Sequence, residues 1–186
     1  MNVRKSSLPE VLIIEPRVFG DSRGYFLETW SQRRYGEHGI PEHFVQDNVS
    51  KSRHRVVRGL HLQHPGGQGK LVSVHYGAVY DVAVDVRVGS PTFGRWFGQE
   101  LTEENHLQLY IPPGFAHGFC VLSDTALFVY KCTAPYAPEH ELGIAYDDPD
   151  IGIEWPIGDA LVSERDRHSP RLAELTEESL PRFSSV

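Results

Sequence analysis

The sequence has few of the residues that build disulfide frameworks, metal centres or membrane spans. Its 186 residues include only two cysteines, Cys120 and Cys132, which are too few for a disulfide framework and lack metal-type spacing. No apolar run has the length of a signal peptide or a membrane helix. We therefore expect a cytoplasmic protein with no membrane partner.

Basic charge is scarce as well. The formal net charge of −7 at pH 7 gives no electrostatic footprint for nucleic acid, so we expect no such partner, although local basic clusters could bind a small anion. A hydrophobic content of 40% and an aromatic content of 11% fit a folded globular protein. The length suits a single domain that spans residues 1–186.

Short strand-like segments are abundant, whereas long helical patterns are missing. Early strands are expected at 11–14 and 25–30, with a loop over 19–24 between them. Glycine- and proline-rich turns then separate further expected strands at 56–63, 70–76, 78–87, 106–111, 117–122 and 126–133. This spacing predicts an all-β sandwich or jelly roll.

Helices are expected to be few and short. One is predicted over 31–38 with Ser31 as its N-cap, and another around 171–178 in the polar tail 160–186.

Two strand segments carry polar residues at informative positions. Between Val79 and Arg87 the alternation puts Asp81 and Asp85 on the inner face, and we assign them no chemistry. In Val57–Gln63, His61 lies on one face and Arg58 on the other. An isolated histidine of this kind is more often a core residue satisfied by one hydrogen bond than a functional group.

A metal site and a nucleophilic hydrolase are both disfavoured. His61 and His64 form an HxxH pair, but an i, i+3 pair on a strand points to opposite faces, and Pro65 opposes a helix there. The sequence has no GxSxG motif, and neither cysteine has an evident activating base.

Proton transfer is the chemistry for which candidates exist. It needs a base, a group that orients it, an acid and a stabiliser of developing charge. The candidates are His61, His117, Tyr130, Lys70 and Asp166. The residues alone therefore indicate an all-β domain with a possible histidine-lined cavity.

Eight long motifs occur in an order that identifies a family. They are FGDSRGYFLETW (19–30), FVQDN (44–48), RGLHLQ (58–63), GKLV (69–72), YDVAVDVRVGSPTFGRW (80–96), IPPGFAHGF (111–119), YKCTAPYAPEHELGI (130–144) and DDPDIGIEWP (147–156). With them the chain closely resembles the dTDP-4-dehydrorhamnose 3,5-epimerases, metal-free members of the cupin superfamily, over nearly its whole length.

This resemblance implies a cupin-type jelly roll and a reaction without cofactor or metal. The family inverts C3 and C5 of dTDP-4-dehydro-6-deoxy-D-glucose through an enolate at the C4 ketone. By resemblance, His61 is the base, Asp166 its orienting carboxylate and Tyr130 the acid. Lys70 matches the lysine near the C4 oxygen, and His117 matches a histidine that contacts the substrate.

The resemblance also implies a nucleotide site and a dimer. The residues that match nucleotide-binding positions are Arg23, Glu28, Gln46, Asp47, Asn48, Arg58, Tyr136, Glu141 and Arg165, with Tyr136 stacking on thymine. Asp47 could equally be a turn or capping residue. Family members are homodimers that exchange N-terminal strands, here within 1–30, so that Arg23 and Glu28 serve the partner's site.

Two points stay open in the sequence. Strict alternation sends Arg58 away from the pocket that His61 faces, unless a bulge near Gly59 or a curled arginine brings it back. Relatives that invert only C3 or only C5 share most of these residues, so a mono-epimerase is an alternative. A cupin that only binds nucleotide sugars, or one with a metal site, is a more distant alternative.

Overall fold

The computed structural model describes residues 1–40 and 43–184, which form mostly short β-strands. The strands are β1 (Asn2–Lys5), β2 (Leu12–Glu15), β3 (Val18–Asp21), β4 (Gly24–Leu27), β5 (Gln46–Arg53), β6 (Val57–Gln63), β7 (Lys70–Tyr76), β8 (Ala78–Asp85), β9 (Trp96–Thr102), β10 (Gln108–Ile111), β11 (Phe115–Val121), β12 (Thr125–Cys132) and β13 (Glu141–Gly143). The helices are α1 (Gln32–Gly36) and α2 (Glu164–Arg167), with 3-10 turns at Pro138–His140, Leu172–Glu174 and Glu177–Ser179.

Eleven of these strands form two antiparallel sheets. The first has six strands in the order β1-β2-β10-β7-β12-β5, and the second has five in the order β13-β6-β11-β8-β9. Strands β3 and β4 form a separate hairpin. The predicted all-β sandwich is confirmed.

The main hydrophobic core lies between the two sheets. Val72, Leu109 and Phe128 of the first sheet pack with Val79 and Phe119 of the second, and all five are almost fully buried. Burial of side chains this large is the dominant favourable contribution to folding. The space between the sheets is therefore filled mainly by apolar side chains.

A second core cluster covers the outer face of the five-stranded sheet. Val82 and Val84 of β8 pack there against Ile144, Ile151 and Leu172 of the chain that follows β13. This packing holds the C-terminal segment on the sheet and so fixes the position of α2 near β6. A third cluster packs Tyr35 of α1 onto the outer face of the six-stranded sheet.

The alternation predicted for β8 is confirmed by these clusters. Val79 and Ala83 belong to the core between the sheets, whereas Val82 and Val84 belong to the outer cluster. Asp81 shares the inner face, as predicted, and is completely buried.

The N-terminal half differs from the prediction in two places. The segment expected to be a loop over 19–24 is a hairpin, because Gly24 adopts a φ of 132° and the Asp21 carboxylate accepts the backbone N–H of Arg23 at 2.8 Å. The strand expected at 25–30 consequently ends at Leu27. The helix expected over 31–38 is only the five-residue α1.

The C-terminal tail also differs. The helix expected around 171–178 is replaced by the two 3-10 turns, and the regular helix in the tail is α2. Strands β1, β9 and β13 were not predicted, because each is short or only half-buried and lacks a clear apolar alternation. Within the described residues no helix has the length and apolar character needed to cross a membrane.

Candidate active site

A cavity of about 600 Å³ opens between the two sheets beside α2. This volume lies within the range of small-molecule sites. All four residues predicted for catalysis line it, as do three of the predicted binding residues: His61, Lys70, Tyr130, Asp166, Arg58, His117 and Arg165. The structure thus brings together side chains that are up to about a hundred positions apart in sequence.

His61 and Asp166 form a hydrogen-bonded pair on one wall of this cavity. The imidazole Nε2 lies 2.7 Å from Oδ1 of Asp166, so the ionised carboxylate accepts from Nε2–H and leaves Nδ1 as the proton acceptor. Burial raises the pKa of the Asp166 carboxyl, but hydrogen bonds from His61, Gly59 and Ser163 outweigh it and hold that pKa below its usual value. The arrangement fixes the tautomer of His61 and would stabilise its imidazolium form.

A local capping motif begins helix α2 and so positions Asp166 beside the cavity. The side chain of Ser163 accepts the backbone N–H of Asp166 at 3.1 Å, which is the N-cap interaction of an S-x-x-D sequence. The backbone N–H of Gly59 lies 3.3 Å from the other carboxylate oxygen. This four-residue motif is the sequence signal that could have predicted α2.

Of the two routes left open for Arg58 to reach the pocket, a bulge near Gly59 or a curled side chain, the structure shows the bulge in β6. His61 pairs with His117 and Arg58 pairs with Phe119, so three residue steps on β6 oppose two steps on β11. Gly59 allows this, because its φ is 119° and a Cβ there would lie 2.6 Å from the carbonyl oxygen of His117. The extra residue puts Arg58 on the cavity side with His61, while Leu60 packs into the outer cluster.

His117 lies directly opposite His61 on the neighbouring strand and has its own carboxylate. Its Nε2 is 2.8 Å from Oδ2 of Asp81, a residue of β8 with no exposed surface. The ring stacks at 6.0 Å from the ring of Phe128. Two histidine–carboxylate pairs therefore lie side by side; both imidazoles and Asp166 line the cavity, whereas Asp81 is buried beyond its wall.

Lys70 and Tyr130 come from the other sheet. Burial lowers the pKa of the Lys70 ammonium, and it raises the pKa of the Tyr130 phenol above its usual value of 10. Tyr130 therefore carries its proton at neutral pH. Because β12 and β6 belong to different sheets, Tyr130 faces His61 from the opposite wall.

A second group of predicted residues meets at the rim. The Tyr136 hydroxyl donates to Oε2 of Glu141 at 2.7 Å, and a guanidinium nitrogen of Arg165 lies 2.5 Å from the same oxygen. Burial raises the pKa of Glu141, but these two partners outweigh it and lower that pKa overall. The Gln46 side chain accepts the backbone N–H of Tyr136 at 2.8 Å, and Asn48 accepts from Gln46 at 3.0 Å.

Three predicted binding residues lie away from the cavity. Asp47 is on the outer face of its sheet and pairs with Lys131 at 2.9 Å. Arg23 is bonded to Asp21 on the exposed hairpin, and Glu28 is bonded to Arg34. A role for these three residues within one copy of the chain is not supported by their positions, and their predicted roles stay predictions.

Two serines to which the sequence analysis gave no role, Ser50 and Ser52, also lie at the site. Gln46, Asn48, Ser50 and Ser52 alternate along β5 and share its inner face. Ser52 accepts from Nε of Arg58 at 3.1 Å, and Ser50 lines the cavity. The period-two pattern from Gln46 to Ser52 is the signal that could have found both serines. Among the described residues, no group of three or more histidine, cysteine or acidic side chains could hold a metal ion.

Comparisons with known proteins agree with this geometry. A family model described as dTDP-4-dehydrorhamnose 3,5-epimerase matches residues 5–174. A protein of that name from Pseudomonas aeruginosa is 52% identical over 176 residues, which cover 94% of this chain and 97% of the relative. A solved structure of a dTDP-6-deoxy-D-glucose-3,5-epimerase from Legionella pneumophila, in complex with dTDP-4-keto-L-rhamnose, is 50% identical with a TM-score of 0.97 and covers 99% of each chain.

An enzyme named for epimerisation at C3 alone is also similar to this chain. A dTDP-4-dehydrorhamnose 3-epimerase from Streptomyces niveus is 40% identical over 182 residues, which cover 97% of this chain and 88% of the relative.

Proposed function

The chain belongs to the dTDP-4-dehydrorhamnose 3,5-epimerase family and is an isomerase, and we propose that it converts dTDP-4-dehydro-6-deoxy-D-glucose into dTDP-4-dehydro-L-rhamnose. The reaction inverts C3 and C5. Both carbons flank the C4 ketone, so removal of either proton gives an enolate, and no electron changes hands. A base on one face of the sugar and an acid on the other are sufficient.

The observation that carries this proposal is the pairing of a base and an acid on opposite walls of one cavity. His61, backed by Asp166 at 2.7 Å, lies on the five-stranded sheet, and Tyr130 lies on the six-stranded sheet. Inversion needs a proton to leave one face of the ring and another to arrive on the opposite face. A sugar ring held between the two sheets meets that requirement.

The proton transfers follow from the same residues. Nδ1 of His61 takes the proton from C3 or C5, and the electron pair of the broken C–H bond forms the enolate. Lys70 holds the oxygen that becomes negative, which is where a preorganised donor has its largest effect on the rate, and His117 contacts the sugar. Tyr130 then gives its proton to the opposite face of the carbon. The resulting tyrosinate regains a proton from solvent, and the His61 imidazolium releases its proton to solvent, so both groups are ready for the second inversion.

The rim residues provide for the rest of the substrate. Tyr136 stacks on thymine, and Gln46, Asn48 and Glu141 contact the nucleoside. Arg58 and Arg165 bind the diphosphate, because guanidinium groups match phosphate oxygens in geometry and charge. No cofactor or metal takes part. The fold is a single cupin-type jelly roll over residues 1–186, of which 41, 42, 185 and 186 lie outside the described residues.

Exposed aromatic residues on the hairpin support a dimer. Phe19 is 51% exposed, Tyr25 58% and Phe26 69%, which is unusual for three aromatic side chains on one small element. In the homodimer that we propose, residues 1–30 exchange between subunits, and Arg23 and Glu28 complete the partner's nucleotide site. The protein acts in the cytoplasm and supplies rhamnose for surface polysaccharide, without a nucleic-acid or membrane partner.

Subunit mixing tests the exchange. Arg23→Ala and His61→Ala are each expected to be nearly inactive, but equal amounts allowed to exchange subunits should recover about one quarter of wild-type activity, because half of the dimers are mixed and each has one intact site. The measurement is kcat/KM before and after mixing, with molar mass by light scattering. A monomer, or a mixture that stays inactive after verified exchange, contradicts the arrangement.

Isotope exchange tests the reaction itself. In deuterium oxide, dTDP-4-dehydro-6-deoxy-D-glucose should become deuterated at both C3 and C5, and coupling to a 4-reductase should yield dTDP-L-rhamnose. Proton NMR of the sugar distinguishes the two positions. Labelling at one carbon alone would make the protein a mono-epimerase, and tight binding without labelling would make it a binding protein.

A further inference from the structure

Asp81 is a buried carboxylate with only half of its hydrogen-bonding capacity used. It has no exposed surface, and its Oδ2 accepts from Nε2 of His117 at 2.8 Å. Its Oδ1 is also buried and has no hydrogen-bond partner among the described residues. An oxygen in that state is costly in a protein interior unless a positive charge lies nearby.

The side chain of Lys70 supplies that charge. It extends from β7 of the opposite sheet into the cavity that His117 lines, and its ammonium makes no hydrogen bond or ion pair with the part of the chain that the structure describes. The negative charge of Asp81 favours the protonated form of Lys70, while burial disfavours it. Burial likewise raises the pKa of the Asp81 carboxyl, and the positive charges of His117 and Lys70 oppose that rise. The Lys70 ammonium and Oδ1 of Asp81 thus both lack a direct partner among the described residues, and each group stabilises the charged form of the other.

A second buried aspartate on the same strand shows what a purely structural carboxylate looks like here. Asp85 lies on the same face of β8 and is equally buried. Both of its oxygens are satisfied, by the guanidinium of Arg87 at 2.9 and 2.8 Å and by the hydroxyls of Ser90 and Thr92 at 2.5 and 2.7 Å. Asp81 differs because one of its oxygens is buried without a hydrogen-bond partner among the described residues, on the face of β8 that is turned toward the sheet carrying Lys70.

We propose that Asp81 is the positioning residue of the enolate-binding half of the site: it fixes the ring of His117 and keeps Lys70 in its ammonium form. This inference rests on the proposed function, since it assigns Lys70 to the C4 oxygen and His117 to contact with the sugar. Asp81 does not touch the substrate. It sets the charge that Lys70 presents to the developing enolate and the orientation of the His117 ring.

The direction of the expected effect follows from the charges. Lys70 must be protonated to stabilise an anion, so activity falls as pH rises through the Lys70 pKa, which burial already holds below 10.5. Removing the negative charge of Asp81 removes a stabiliser of the ammonium, so the Lys70 pKa must fall further. Burial raises the pKa of the Tyr130 phenol, so this second group on the alkaline side is shifted in the opposite direction from Lys70.

Other ionisable groups around the pair are few. Those that act on Asp81, Lys70 or His117 from the packed strands are His61 on β6, Cys120 on β11, Cys132 on β12 and Glu141 on β13. Burial raises the pKa of both thiols, to about 12 for Cys120, so they are neutral over the range of interest. Glu141 is ionised throughout that range, because its pKa is lowered.

The test uses Asp81→Asn, which retains an oxygen to accept from His117 but removes the charge. The protein has four lysines, Lys5, Lys51, Lys70 and Lys131, so the signals of protein labelled with carbon-13 at lysine Cε can be assigned with Lys70→Arg. The Lys70 signal is expected to titrate about one pH unit or more lower in Asp81→Asn than in wild type. Asp85→Asn, the matched control, should leave the Lys70 titration unchanged.

Activity gives an independent readout. The alkaline limb of the profile of kcat against pH should move to lower pH by the same amount in Asp81→Asn, and this shift should vanish in a Lys70→Arg background, where the cation does not titrate. An unchanged Lys70 titration in Asp81→Asn, or a Lys70 that is already neutral in wild type at pH 8, overturns the proposal. The wild-type titration is informative even if Asp81→Asn fails to fold, and absence of epimerisation by wild type would refute the proposed function without changing the NMR result.

Discussion

His61→Ala is expected to abolish deuterium exchange at both C3 and C5. Removal of the general base should lower the exchange rate about a thousandfold or more, since a positioned base contributes between a hundredfold and ten-thousandfold. Both positions should suffer together, because His61 is the imidazole whose Nδ1 is left free by the carboxylate of Asp166 at 2.7 Å. The measurement is loss of the C3 and C5 proton signals of the substrate in deuterium oxide.

The neighbouring histidine makes this a demanding prediction. His117 pairs directly with His61 across β6 and β11, and it too is backed by an aspartate. If His117 were a second base, His61→Ala would retain exchange at one carbon while losing it at the other. We expect loss at both, since burial lowers the pKa of the His117 imidazole and so makes it a weaker base. Wild-type exchange at either carbon would refute the assignment of His61 as the sole base.

Controls for His61→Ala address folding and nucleotide binding. The substitution leaves one oxygen of the buried Asp166 without its partner, so some loss of stability is expected. His61→Asn is a useful companion, because its amide can still donate to Asp166 yet cannot act as a base. Both variants should bind dTDP with wild-type affinity, since the nucleotide residues lie at the rim.

The positions of strands were predictable where the strand is buried on both faces, because apolar residues then dominate its sequence. Strand β8 is the best example, because both of its faces are buried and its polar inner residues interrupt the pattern at regular intervals. Strand β9 has neither advantage. Its first four residues are half-buried, so nothing in its composition separates it from a loop.

The hairpin of β3 and β4 could not be predicted from local hydrophobic pattern. Its side chains are mostly exposed in the single chain, so the pattern that normally marks a strand is absent. Its turn is encoded instead by Asp21 and Gly24. This pair of turn-forming residues was the signal available in the sequence, and in the structure the Asp21 carboxylate accepts the Arg23 N–H. In the homodimer that we propose, the partner subunit would bury these side chains.

The site was predictable only in part, for a physical reason. Alternation correctly put Asp81 on the inner face but could not show that one of its oxygens would find no hydrogen-bond partner among the described residues, because that depends on the side chains that pack around it from other strands. The path of Arg58 into the cavity depended on a bulge whose cause is the close approach of Gly59 to the backbone of β11. Roles for His61, Tyr130 and Asp166 came from the family resemblance, since contacts between segments this far apart leave no local trace.

Tyr130→Phe should separate proton removal from inversion. The substitution removes the phenol that donates the second proton but keeps the ring, which lies 5.8 Å from the ring of Phe128. We expect product formation to fall about a hundredfold, the usual effect of losing a general acid. Enolate formation requires His61 rather than Tyr130, so exchange of substrate protons should continue at a measurable rate.

The ratio of the two rates is the decisive quantity. Without Tyr130 the enolate regains its proton from the His61 side, so the recovered substrate should become deuterated without inversion, and exchange should outpace product formation. In wild type the two rates should be similar. Tyr80→Phe is the matched control, because Tyr80 lies on the outer face of β8 and should leave both rates unchanged. If Tyr130→Phe forms product at the wild-type rate, the acid must be another group, and a solvent molecule that reaches the ring from the six-stranded sheet would be the next candidate to test.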